Sequence, residues 1–250
     1  MNTKMKVLSL AVVGLFGFAG AAMAACPSGP TTAEGGAWTS KTTLGGGVVA
    51  IGTPGLASTE CLMESTLAAS LTSSASVRYN HAASEPAYRF QFLVDTTALS
   101  SFLTTDNVVA FQAPATTTAN GFNRLLRVSI VAGPAGAKRV RFIAQCSTGG
   151  FQCGQTYSTD LVAGVNRIEG KLTVGAGAAG QLTYWVNAAS GTTEPAASGT
   201  IANLDNAAWG GVSAASMGLT APSSTFKNGH AGQVVKFDQF DSRRQTYIGY

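Results

Sequence analysis

From about residue 40 onward, apolar side chains recur at every second position, in short runs punctuated by Gly, Pro, Asn and Ser. A period of two places alternate side chains on opposite faces of an extended strand, so this pattern builds sheets and leaves little room for helices. The clearest run is 87–95, where Tyr88, Phe90, Phe92 and Val94 share one face and Arg89 and Gln91 the other. Similar runs occupy 47–51, 76–79, 124–132, 138–146, 165–174, 180–187, 213–219 and 233–248. The stretch 61–71 is ambiguous, but its Ser and Thr content favours a strand; 97–103 supports at most one helical turn. Runs 124–132 and 138–146 flank the turn sequence Gly133-Pro134-Ala135-Gly136 and form a hairpin. Phe237 and Phe240 are three apart and cannot share a face, so a bulge or a strand end lies between them. About a dozen short, evenly spaced strands make a β-sandwich or a closed barrel. No linker or composition break divides them, which predicts one domain over residues 25–250.

The first 24 residues read differently. Lys4 and Lys6 precede an apolar run over 7–18, and Ala22-Met23-Ala24 ends it, as in a cleaved secretory signal peptide. The run falls short of the roughly 20 residues a membrane-spanning helix needs, and no later segment reaches that length. The mature chain is expected to begin at Ala25, in the periplasm or outside the cell. Met23-Ala24-Ala25-Cys26 also loosely fits a lipoprotein signal, with Cys26 acylated. The even cysteine count argues against that, because Cys26, Cys61, Cys146 and Cys153 make two disulfides in an exported chain. Cys146 and Cys153 bracket a short loop that can join them, which leaves Cys26 to pair with Cys61. Loss of Lys4 and Lys6 reduces 16 basic residues to 14 against 12 acidic ones, so the formal charge of +4 falls to +2. That is too little for charge-driven nucleic-acid binding. An outer-membrane barrel is disfavoured by the short Gly-Ala-rich strands, the cysteines, and Arg243-Arg244 in the last strand.

Tyr88-Arg89-Phe90-Gln91-Phe92-Leu93-Val94-Asp95, Gly164-Val165-Asn166-Arg167-Ile168-Glu169-Gly170 and Gly180-Gln181-Leu182-Thr183-Tyr184-Trp185-Val186-Asn187 resemble, in that order, the concanavalin A-like, laminin-G-like jelly-roll superfamily. The segment 237–249 resembles the closing stretch of bacterial exported proteins of this type. The resemblance covers about residues 60–250 and implies an all-β fold: a two-sheet antiparallel jelly-roll sandwich. It also implies that Leu182, Tyr184 and Val186 pack inward, leaving Trp185 on the opposite surface between Thr183 and Asn187. An indole with polar neighbours has the elements of a sugar platform; the other reading has the long loop around 194–209 covering it. Asn187-Ala188 replaces the usual Asp-Gly, which puts a family-type turn or metal contact there in question. The fold hosts lectins, lyases, hydrolases and adhesive modules, so it does not by itself choose a function.

Chemistry narrows the choice. Glycoside hydrolases need paired carboxylates on one strand, whereas acidic residues are scattered here and the closest pair is Asp238 and Asp241. Glu169 and Asp238 are the carboxylates to suspect first if catalysis occurs. A Ser or Cys nucleophile needs a histidine base; His81 and His230 both lie in loop-like sequence, and no G-x-S-x-G elbow is present. Two histidines without neighbouring ligands predict no metal centre. An Asx turn explains Asn203-Leu204-Asp205-Asn206 better than calcium does. Gly45-Gly46-Gly47 opens no helix and carries no phosphate-loop Lys, so no cofactor is expected. Arg124, Arg127, Lys138, Arg139 and Arg141 read as solvated strand positions, with an anion site as the second reading. The leading expectation is an exported non-enzymatic binding or surface module of carbohydrate-binding type. A structural component of the cell envelope and a divergent polysaccharide hydrolase or lyase are the alternatives.

Overall fold

The computed structural model describes residues 25–119, 121–147, 154–189, 191–243 and 246–248, with backbone alone for 154–158. The signal sequence and Cys153 lie outside the described residues. The strands are β1 (Ser40–Leu44), β2 (Val48–Gly52), β3 (Leu62–Thr66), β4 (Ser74–Glu85), β5 (Ala87–Asp95), β6 (Asn107–Ala119) and β7 (Phe122–Ala132). They continue with β8 (Lys138–Ala144), β9 (Gly154–Asp160), β10 (Val165–Thr173), β11 (Gly180–Val186), β12 (Gly199–Leu204), β13 (Val212–Thr220) and β14 (Val234–Arg243). Two seven-stranded antiparallel sheets result. Sheet I runs β1-β4-β13-β6-β7-β8-β9, and sheet II runs β12-β11-β10-β5-β14-β3-β2. This is the jelly-roll sandwich that the resemblance implied.

The alternation read from sequence fixes which side chains the two sheets share. Across sheet I, register pairs Val77 with Met217, Met217 with Phe111, Phe111 with Val128 and Val128 with Phe142. Directly paired residues point to the same side, and all five of these are buried in the core. Sheet II answers with Tyr88, Phe90, Phe92 and Val94 of β5 and with Ile168 and Leu172 of β10. The sheets meet through stacked rings: Phe90 on Phe111 at 4.3 Å and Phe142 on Tyr184 at 4.4 Å between centroids. Gly170 pairs with Phe90, and a Cβ there would stand 2.5 Å from the phenyl ring. A side chain at this position would push the ring out of its stack.

Several elements were not foreseen. β6, at the centre of sheet I, contains Pro114, which argues against a central strand. The proline is accommodated where the β6–β7 register shifts, next to Ala113. β1, β9 and β12 have too few apolar residues to show alternation. A short helix, α1 (Ser224–Gly229), starts at Ser223, whose side chain accepts the Phe226 N–H. The expected irregularity between Phe237 and Phe240 is a bulge: β14 shifts register against β5 there, and Gln239 has φ 47°. Cys26 and Cys61 are disulfide-bonded with Cα atoms 5.7 Å apart. Cys146 is also disulfide-bonded, but its expected partner Cys153 lies outside the described residues.

Candidate functional site on the outer face of sheet I

Each sheet has one face turned away from the core, and polar residues alternate onto it. On sheet II this face carries the predicted sugar platform. Trp185 does point outward, paired with Glu169 across β10 and β11. It is nevertheless only 2% exposed. Its Nε1–H donates to the Pro195 carbonyl at 3.0 Å, and the Arg89 guanidinium lies 4.6 Å from the ring centroid. Arg89 is itself buried, donating to Glu169 at 2.5 Å and Glu194 at 2.8 Å, with the Tyr247 ring 4.9 Å away. The loop bearing Glu194 and Pro195, with the C-terminal segment, therefore covers this part of the face.

The expected platform is corrected accordingly. Thr183 is half-buried and its hydroxyl accepts from Gln181 Nε2 at 2.8 Å. Asn187 is exposed, but its Oδ1 accepts the Arg167 N–H and its Nδ2 donates to Asn166. It stands at the rim of an open depression of about 400 Å³ with Leu93, Val165 and Arg167, apart from the Trp185 ring. Asn187 also adopts φ 52°, a conformation Asn tolerates, so the turn forms without the usual Asp-Gly. Glu169 is locked to Arg89. Asp238 accepts from the Leu56 N–H and from the Thr59 hydroxyl, so it holds a loop.

Sheet I is the opposite case. One step from the buried row, the register pairs Arg78 with Ser216, Ser216 with Gln112, Gln112 with Arg127 and Arg127 with Ile143. These residues face away from the core and cross β4, β13, β6, β7 and β8 in a line. With strands about 4.8 Å apart, Arg78 and Arg127 are roughly 14 Å apart along it. Beside this line, Ser129 pairs with Arg141. Val109, Ser129 and Ile143 are at most 2% exposed although they face away from the core.

The electrostatics of the line are one-sided. Arg139 pairs with Asp160 at 2.6 Å, but among the described residues no carboxylate pairs with Arg78, Arg124, Arg127 or Arg141. Arg78 Nε donates to Asn80 at 2.8 Å, and Arg141 reaches Asn107 at 3.4 Å. The Nε atoms of Arg127 and Arg141 are buried without a hydrogen-bond partner among the described residues. Burial lowers the Arg127 pKa, and Arg124 and Arg141 lower it further by repulsion. Three guanidiniums thus crowd together, and a carboxylate or sulfate placed among them would relieve the repulsion. Sequence reasoning named the Arg124–Arg141 group but missed Arg78, Gln112 and Ser216, which only register across three strands brings into line.

One histidine sits where sequence did not place it: His81 is in a strand, whereas His230 follows α1 in a loop, as read. His81 lies in β4 and faces Tyr88 at 5.2 Å. His230 is 2% exposed, and its Nε2 is 3.0 Å from Asp106, a neighbour 124 residues away in sequence. Ser100 Oγ stands 3.2 Å from His230 Nδ1, so Ser, His and Asp are brought together. Gln233 Oε1 accepts the Ser100 N–H at 2.8 Å and stands 3.1 Å from Nδ1, so Gln233 ties Ser100 and the buried His230 into one cluster. Among the described residues no group of His, Cys, Asp and Glu could hold a metal ion. No helix of the described residues is long and apolar enough to cross a membrane.

No protein-family model matches the chain, and no curated protein does. Solved structures do resemble it. An endo-β-1,4-glucuronan lyase from the fungus Trichoderma reesei superposes with TM-score 0.58 at 12% identity, covering 83% of this chain and 91% of the lyase. The marine PL-14 alginate lyase from Aplysia kurodai gives TM-score 0.58 at 8% identity, covering 88% and 96%. Cellulose induced protein, Cip1, gives 0.55 at 16% identity, covering 87% and 97%. At such identities the likeness is one of fold.

Proposed function

We propose that this chain is an exported carbohydrate-binding module that holds an acidic polysaccharide across the outer face of sheet I without cleaving it. The observation that carries this reading is the line Arg78-Ser216-Gln112-Arg127, with Arg141 beside it and no carboxylate to neutralise it among the described residues. A linear polymer lying across the strands meets charged and neutral hydrogen-bond donors in turn. Guanidiniums bind carboxylates in forked pairs, and Gln and Ser suit hydroxyls. Glucuronan and alginate, the polymers named for two of the similar structures, are chains of uronic acids, and this gives the anionic ligand chemical precedent on the same fold.

Binding is favoured over cleavage for a physical reason. Eliminating across a uronate needs a base that removes the proton next to the carboxylate. The line Arg78-Ser216-Gln112-Arg127 itself contains no His, Asp, Glu or Tyr, and Tyr157 of β9 stands in register with Arg141 beside it. His81 faces between the sheets, and His230 is held by Asp106 and Gln233.

Calorimetric titration with alginate oligosaccharides, beside a neutral cello-oligosaccharide as control, tests the reading. Saturable binding of the uronate alone, weakened as salt rises, is expected. Equal binding of both sugars would refute the charge-based account. Release of an ultraviolet-absorbing unsaturated product would make the chain a lyase and refute the binding-only account.

A further inference from the structure

At one end of the sandwich, where β4 hands over to β5, the sheets separate around a cavity of about 410 Å³. It lies within the roughly 300–1,000 Å³ range of small-ligand pockets. Its walls are aromatic. Trp38 rests on Phe240 with centroids 4.9 Å apart, and Tyr79, His81 and Tyr88 form a second group at 5.5 and 5.2 Å. Glu85, Asp241 and Arg243 supply charged groups at the same cavity.

Local devices hold these walls in place. The bulge at Gln239 separates Phe240 from the core-facing Phe237 and sets it against Trp38. A second register shift, between Val212 and Ala214 against β4, lies beside Glu85. Bulges of this kind re-aim side chains at sites of function. Trp38 is fixed from the other side. The Cys26–Cys61 disulfide anchors the segment that carries it, and its backbone bonds to Pro30 and Thr32 at 3.1 and 2.9 Å. Glu34 braces that turn by accepting from the Thr31 N–H and hydroxyl and from Lys41. The Lys41 ammonium, then Thr31, brings the Glu34 carboxyl down to about 2. A full set of contacts thus presents a partly exposed indole to an open cavity.

We propose that this cavity is a second carbohydrate site, independent of the sheet I face, and that it takes the end of a neutral saccharide. Aromatic faces stack on the apolar faces of sugar rings, while carboxylates, guanidinium and phenol reach the hydroxyls around them. The one guanidinium among the described lining residues, Arg243, is already paired with Asp241 at 2.9 Å and so offers a uronate no unpaired cation. Desolvation lowers the His81 pKa, which keeps the ring neutral near pH 7. The two sites therefore differ in character: on sheet I, arginines without a carboxylate among the described residues; here, aromatic rings around a paired guanidinium.

The three tryptophans give the test its signal. Trp185 and Trp209 are at most 2% exposed, so acrylamide quenching reports Trp38. Methyl glucoside, methyl galactoside, methyl mannoside, N-acetylglucosamine and cellobiose are titrated at millimolar concentrations. At least one is expected to shield Trp38 saturably, and Trp38→Phe removes the signal. Tyr79 is 44% exposed, so Tyr79→Ala leaves the fold intact, and it is expected to weaken shielding about tenfold. The proposal is overturned if none of these sugars shields Trp38, if Tyr79→Ala shields as well as wild type, or if glucosamine or tetramethylammonium shields where neutral sugars do not. The last outcome would make the cavity a cation cage.

Discussion

Arg89 on sheet II and Arg127 on sheet I occupy equivalent situations in the fold, each on a central strand and facing away from the core, yet they have opposite surroundings. Arg89 has two carboxylates and two aromatic faces and is fully buried. Arg127 has two arginines for neighbours and a buried Nε without a partner among the described residues. A sandwich has two outer faces, and this chain closes part of one with its own loop and tail while the arginine line of the other has no countercharge among the described residues. The lesson is that an outward-facing polar residue is not yet a site. What matters is whether the chain itself supplies the complementary group.

The comparison breaks most visibly through stability. Removing one partner of a fully buried ion pair strands the other charge, so Arg89→Ala or Glu169→Ala is expected to lose about 3–5 kcal/mol. Chemical denaturation measures this directly, and a loss below about 1 kcal/mol would mean that the cover over sheet II is loose. Trp185→Ala leaves a large void under Pro195 and is expected to lose a similar amount, about 3–5 kcal/mol. Retained melting temperature in that variant would reopen the sugar platform at Trp185. Arg127→Ala lies at the small end. It removes a half-buried stem and relieves repulsion from Arg124 and Arg141, so a change within about 1 kcal/mol is expected.

Much of this contrast was legible in the sequence, but unevenly. Alternation over 87–95 gave β5 with its inward and outward sets intact, and Gly133-Pro134-Ala135-Gly136 marked the β7–β8 hairpin, whose pairing runs from Leu126–Ala144 to Ala132–Lys138. The resemblance, applied to the alternation of 182–187, placed Trp185 on the outer face, where it lies. Alternation is blind, however, to what lies above a face. Pro195 covers Trp185 from ten residues away through a loop without period. Register between distant strands was equally hidden: Arg78 and Ser216 are far apart in sequence, and Gln112 sits on a strand that Pro114 disguised. Local pattern reports a residue's side, and only tertiary pairing reports its neighbours.

The claim that the open face binds an anionic glycan is tested most directly by the dissociation constant for an alginate oligosaccharide, measured by calorimetry for wild type, Arg127→Gln, and the Arg78→Gln/Arg127→Gln pair. Each lost charge-assisted contact is worth about 1.5–3 kcal/mol. Arg127→Gln should therefore weaken binding at least about tenfold, and the double variant at least about a hundredfold, with unchanged melting temperatures. Wild-type affinity in the double variant, with its fold intact, would contradict the account and move the ligand off sheet I.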